Sequence, residues 1–285
     1  MLRLIALLLV ALAAPASAHG GHGHGPGWTL DPMVTLPLGL LLAVYLVGAA
    51  RLSRRTERRP KSLIFLSGWA VLALALTSPL HQAGESSFTM HMIEHELIML
   101  IATLLLAASY AGGVLAWGVP QPVARAFAFG PLKTAWRRLT EPVTATILQA
   151  IAMWAWHAPA LFDRALESRG WHVAQHMSFI VTSLLFWWAM LHVQRGRYGL
   201  SAACLFITSL VGGALGALMA FSSSPWYAGY AAMGMTGIGL DPVTDQQLAG
   251  LLMWIPGGMV HAAAALILLY RWLKSSEGRH APAAH

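Results

Sequence analysis

His91-Met92-Ile93-Glu94-His95 opens an apolar run, Glu96-Leu97-Ile98-Met99-Leu100-Ile101-Ala102-Thr103-Leu104-Leu105-Leu106, and together they decide how the chain is read. On a helix, residues four apart share a face, offset by roughly 40° and about 6 Å along the axis, so both imidazoles address one point. The pattern returns in Trp171-His172-Val173-Ala174-Gln175-His176, again heading an apolar run, and a lone His157 closes a third run after Trp154-Ala155-Trp156. Three helix ends thus offer five histidines. Imidazole ligates copper, zinc and iron, and a histidine at membrane depth is a functional candidate by default.

The surroundings of these runs fix the class. Hydrophobic residues make up 57% of the chain and charged residues 10%, against about 45–50% and about 25% in soluble domains. Several runs reach the roughly 20 residues that span a bilayer, so the expectation is an all-α, multi-pass membrane protein rather than a barrel. The net charge of +7 does not point to nucleic acid, because the basic residues sit in short loops between spans, where they report topology. A single cysteine, Cys204, excludes a disulfide framework and a Cys-x-x-Cys metal or thiol relay. Soft ligands must therefore be methionine, of which there are 13.

Residues 1–18 read as a cleaved signal peptide: Arg3, an apolar core, and Ala16-Ser17-Ala18 as the cleavage site. Residues 19–32 form a His/Gly-rich extracytoplasmic tail whose His19, His22 and His24 are candidates for loose metal capture. Seven transmembrane helices are expected within 33–272, at about 33–50, 62–80, 90–117, 142–158, 171–192, 200–221 and 246–272, followed by a cytoplasmic tail, 273–285. Gly212 and Gly216 give the sixth a small-xxx-small spacing suited to close helix contact. Pro256-Gly257-Gly258 is expected to bend the seventh. Fifteen basic residues fall in segments assigned to the cytoplasm and two, Arg164 and Arg169, outside. The mature N-terminus is therefore placed out and the C-terminus in.

That orientation brings His91, His95, His157, His172 and His176 within about two turns of the outer face, in one layer. His261 lies too deep for the same ligand set and reads as a packing residue or helix contact. A thiol-free imidazole site with Met90, Met92 and Met177 nearby suits copper, although zinc fits the histidines equally well. His91-Met92-Ile93-Glu94-His95 also matches His-x-x-Glu-His, the inverted zincin motif, which would make an integral-membrane zinc-dependent hydrolase with Glu94 as base. The second pair carries Ala174 and Gln175 instead. A bis-histidine membrane cytochrome remains a further reading, with His95 and His176 on facing helices as haem ligands.

Four segments, His91 to Leu106, Trp156-His157-Ala158-Pro159-Ala160-Leu161-Phe162-Asp163, Trp171 to Trp188, and Leu240 through Asp245-Gln246-Gln247-Leu248-Ala249-Gly250 to Trp254, occur in an order that resembles the multi-pass CtaG family of cytochrome c oxidase assembly factors. The likeness runs over 32–272. It implies a non-enzymatic role in the bacterial inner (plasma) membrane, with copper as the metal ahead of zinc or haem. His91, His95, His157, His172 and His176 match the family's histidine pattern. The implied partners are cytochrome c oxidase subunits, a periplasmic copper chaperone and the lipid bilayer, with no nucleic acid. Glu94, followed by Glu96, departs from the neutral residue expected before His95. In the outer segment 221–240, Met233 and Met235 are candidates to relay metal, and Trp226 and Tyr227 read as an aromatic interface belt. Asp245-Gln246-Gln247 either caps the last helix or bonds a ligand histidine.

Overall fold

In hydrocarbon a backbone must satisfy its own hydrogen bonds, and the apolar runs do so as helices. The computed structural model describes residues 27–53, 61–126 and 130–280, and among them there is no strand. The signal peptide expected at 1–18 and His19, His22 and His24 lie outside the described residues. In chain order the helices are α1 Pro32–Ser53, α2 Ser62–Thr77, α3 Pro79–Gly84, α4 Phe88–Ala108, α5 Ala111–Gly118, α6 Gln121–Ala126 and α7 Gly130–Leu139. They continue as α8 Pro142–His157, α9 Pro159–Glu167, α10 Arg169–Leu191, α11 Tyr198–Ala220, α12 Ala228–Ala232 and α13 Pro242–His280. Five of them, α1, α4, α10, α11 and α13, are long and apolar enough to cross a membrane, and α2 is a shorter apolar helix.

The third predicted span, 90–117, is not one continuous α-helix. A π-helical turn occupies Leu97–Ala102, where the Met99 carbonyl accepts both the Trp187 indole N–H at 2.8 Å and the Thr103 hydroxyl at 2.7 Å. Turns of this kind carry one extra residue and free a carbonyl for an outside donor. The helix then stops at Tyr110, whose backbone is left-handed (φ 57°). Lys61 Nζ sits 4.6 Å from the Tyr110 ring and His192 packs edge-on against it, so tertiary contacts hold the break.

The stretch after the second span, expected to be a short polar loop, folds as α3. Ser78 accepts the Leu80 N–H and Pro79 fills the first helical position, which together start a helix. Helix α9 likewise follows α8 at once, through Pro159. Helix α13 runs unbroken through Pro256-Gly257-Gly258 and on to His280, past the boundary expected at 272.

Helices α11 and α13 cross at a pair of glycines: a Cβ on Gly216 would lie 2.6 Å from the Gly250 carbonyl oxygen, and one on Gly250 2.5 Å from that of Gly216. Only glycine permits this approach. Gly212, the other half of the expected motif, instead makes room for the Met153 side chain, with its Cβ position 3.7 Å from Sδ.

Candidate metal centre

Helix α4 carries the first histidine pair, and its start is fixed by two caps. Ser87 Oγ accepts the Met90 N–H at 3.3 Å. The Asp245 carboxylate, from α13, accepts from Ser87 Oγ at 2.9 Å, Phe88 N at 2.6 Å and Thr89 N at 3.2 Å, while Thr89 Oγ1 donates to the Asp245 carbonyl. A negative charge on the orphan N–H groups of a first turn also complements the helix dipole. His91, Glu94 and His95 then share one face, and Glu96, about 140° round from His91, points elsewhere.

The five histidines predicted from sequence come together. Ring centroids of His91 and His95 are 4.3 Å apart, His172 and His176 4.4 Å, His91 and His172 5.7 Å, His95 and His176 5.2 Å, and His95 and His157 6.4 Å. His81, which the sequence places in a polar loop, joins them. Its ring stacks on His172 at 5.3 Å, and ligand atoms of His81, His172 and His176 all lie within 4.8 Å of one another. A shared ion at about 2.0–2.1 Å from each nitrogen needs only a modest closing of that triad.

Glu94 sits at the centre, 0% exposed. Its Oε1 takes a hydrogen bond from His81 Nδ1 at 2.8 Å and lies 3.1 Å from His176 Nε2 without hydrogen-bond alignment. His81 lies outside the spans and is held above its ordinary imidazole pKa. Burial works against its charge, but the hydrogen bond and the charge of Glu94 outweigh that.

Buried polar atoms rarely go unpaired. Here His91 Nε2, both ring nitrogens of His95, His172 Nε2, His176 Nε2 and Glu94 Oε2 do so among the described residues. His176 Nδ1 points at the His172 carbonyl at 3.2 Å and His157 Nδ1 at the Met153 carbonyl at 2.6 Å. Such bonds place the proton on Nδ1 and leave Nε2 with a lone pair, as in metal-ligating histidines. His157 Nε2 lies 3.5 Å from Met92 Sδ, which adds a thioether to the imidazole layer. The donor set suits a d-block cation that accepts nitrogen, sulfur and one carboxylate.

A cleft of about 680 Å³ leads to the layer. Asp31, Glu85 and Glu167 line it with His81, His91, His172 and Met233, and Arg169 pairs with Asp31. Acidic walls raise the local concentration of cations.

The segment 221–240 closes the layer from the other side. Tyr227, read from sequence as part of an interface belt, is 2% exposed and donates to the His157 carbonyl at 3.1 Å; it packs against Phe88 and Phe162 rather than facing lipid. Tyr230 donates to the Gly84 carbonyl at the end of α3. Asp245 neither caps its own helix, a task done by Asp241 on Val243 and Thr244, nor bonds a histidine. Gln246 and Gln247 bind Trp226, Ser224 and Ser222 of the same segment. His261 stacks on Trp187 with centroids 5.5 Å apart and donates from Nδ1 to the Gly257 carbonyl, away from the layer.

A family model described as cytochrome c oxidase caa3 assembly factor matches residues 43–275. Uncharacterised proteins of Mycobacterium bovis and Mycobacterium tuberculosis are each 26% identical over 282 residues, covering 89% of this chain and 41% of the relative. One from Mycobacterium leprae is 21% identical, covering 90% and 42%. The chain thus spans about two-fifths of the length of the curated relatives it matches. No solved structure matches.

Proposed function

The chain belongs to the cytochrome c oxidase caa3 assembly factor family, and from that premise we propose that its histidine layer takes up copper and assists copper insertion into a respiratory haem-copper oxidase. One observation carries the reading: six histidines and Glu94 converge on one place where several buried nitrogens have no protein partner. Those nitrogens are donors in want of a cation. Copper is favoured over zinc by the Met92 thioether beside His157 and by the absence of thiolate competition, since histidine binds either copper oxidation state and thioether selects Cu(I).

In this reading the protein is a carrier and not an enzyme. His81, His172 and His176 hold the ion, and His91, His95 and His157 extend the ligand set inward. Glu94 orients His81 and offsets positive charge. The acidic cleft receives copper from a periplasmic chaperone and later meets the oxidase subunits. Topology follows the same logic: α2 and α8 complete seven spans, and the fifteen-to-two bias of basic residues sets the cleft on the outer side of the bacterial inner membrane. A haem between His95 and His176 fits poorly, because the six imidazoles lie against one another and leave no slot for a macrocycle.

The test is complementation of cells lacking the gene with wild-type protein or His172→Ala/His176→Ala, followed by copper content and cytochrome c oxidase activity of the purified oxidase. Full-length variant in the membrane with copper-deficient oxidase is the expected result. Normal oxidase copper with the variant contradicts the proposal.

A further inference from the structure

One helical turn below the histidine layer, α4, α8, α11 and α13 enclose a second, separate cavity of about 30 Å³. Its volume admits a single ion or water, for which about 10–15 Å³ suffices, and excludes any organic ligand. Three methionines line it, Met99, Met153 and Met253, with Glu96 and His261 and the neutral polar side chains of Gln149, Thr208 and Ser209. Met99, Met153 and Met253 are buried, and His261 is 8% exposed.

Methionine fills membrane cores without further purpose, and three of them alone would mean nothing. Two of its polar groups, Glu96 and His261, argue otherwise. Glu96 Oε2 has no hydrogen-bond partner among the described residues and lies against Gly257, whose Cβ position is 3.2 Å away. His261 donates from Nδ1 to the Gly257 carbonyl, so its Nε2 carries a lone pair, and that atom is also buried and unpartnered. A carboxylate and an imidazole left open beside thioethers within a bilayer are costly unless something joins them.

We propose that this pocket is a second cation site, built for Cu(I) from the thioethers of Met99, Met153 and Met253 with Glu96 and His261. Thioether is a soft donor that selects Cu(I) over sodium or divalent ions. One carboxylate against one monovalent cation leaves the buried pair neutral, whereas a divalent ion would leave a net charge at membrane depth. The pocket is also linked to the layer above it through Met153. The Met153 carbonyl holds the His157 ring, whose Nε2 touches Met92, while the Met153 side chain enters the lower cavity. Copper therefore has a second resting place inward of the first.

The experiment is anaerobic Cu(I) titration of the detergent-purified full chain against a competing chelator. It compares wild type, Met99→Leu/Met153→Leu/Met253→Leu, Glu96→Gln, and the outer variant His172→Ala/His176→Ala. Near-isosteric leucine keeps the packing. Wild type is expected to bind about two Cu(I), the methionine variant and the outer variant about one each, and Glu96→Gln to weaken one site at least tenfold. X-ray absorption of the outer variant is expected to show sulfur around its remaining copper. A methionine variant that binds as much Cu(I) as wild type overturns the proposal, as does a purely nitrogen and oxygen environment in the outer variant. Loss in the methionine variant alone, with the outer variant unaffected, leaves this site standing and removes the outer one instead.

Discussion

The Asp245 carboxylate accepts the Phe88 backbone N–H at 2.6 Å, so the last helix holds the first turn of the helix that carries His91 and His95. Asp245 is 1% exposed, and its removal strands Ser87 Oγ and the N–H groups of Phe88 and Thr89 in a dry interior. Asp245→Ala is expected to cost about 2–4 kcal/mol, given about 1–3 kcal/mol for each stranded donor and some relaxation. Asp245→Asn, which keeps an acceptor, loses less. Thermal unfolding in detergent checks the order, and metal affinity should fall in parallel because the histidine pair loses its register.

His81 separates a ligand from a bystander. His81→Ala is expected to lower copper affinity at least tenfold, on the scale of about 10–100-fold for a ligand or its supporting partner. His192→Ala is the control. His192 stacks on Trp188 with centroids 3.6 Å apart and bonds the Trp188 carbonyl, remote from the layer, so its removal leaves affinity unchanged. Competition titration with a copper chelator reads both.

The sequence made most of the layer legible because helical periodicity needs no long-range knowledge. His91 with His95, and His172 with His176, advertise a shared face by spacing alone, and hydropathy places the helices that bear them. His81 was hidden because its role depends on α3 turning it back toward α10. The local signal was there in Ser78-Pro79, a cap followed by proline at the first helical position. Asp245 was harder still: its partners are 156 to 158 residues away, and nothing in Asp-Gln-Gln itself says which helix it caps. The π turn at Leu97–Ala102 and the left-handed Tyr110 depend on Trp187, Lys61 and His192, contacts that no window of sequence contains.

Glu94 distinguishes a carrier from a hydrolase. Glu94→Gln preserves shape but removes the charge between His81 and His176, and is expected to weaken copper binding by about 10–100-fold without abolishing it. The oxidase should then be only partly loaded, with recovery on added copper. An all-or-none loss that excess copper does not rescue would assign Glu94 the role of a catalytic base instead.

On the opposite end of the bundle, Glu141 caps α8 through Val143 and Thr144 and pairs with Arg197. Its carboxyl sits below the ordinary carboxylate range: the small burial raises it, and the Thr144 N–H and the Arg197 contact outweigh that. A depressed folded-state pKa stabilises above the ordinary carboxylate pKa, and the contribution is lost as pH falls through the depressed value. Glu141→Gln should therefore lower the melting temperature slightly at neutral pH, by less than about 1 kcal/mol for so exposed a pair, with the difference vanishing in acid. Parallel melts at neutral and acidic pH read the sign.

The most direct measurement is elemental analysis of the detergent-purified protein beside His172→Ala/His176→Ala, with an absorption spectrum on the same samples. The account predicts copper in the wild type, a loss of about one copper per chain in the variant, and no Soret band in either. Equal copper in both proteins would contradict it, zinc in its place would revive the hydrolase, and iron with a Soret band would make the layer a haem site.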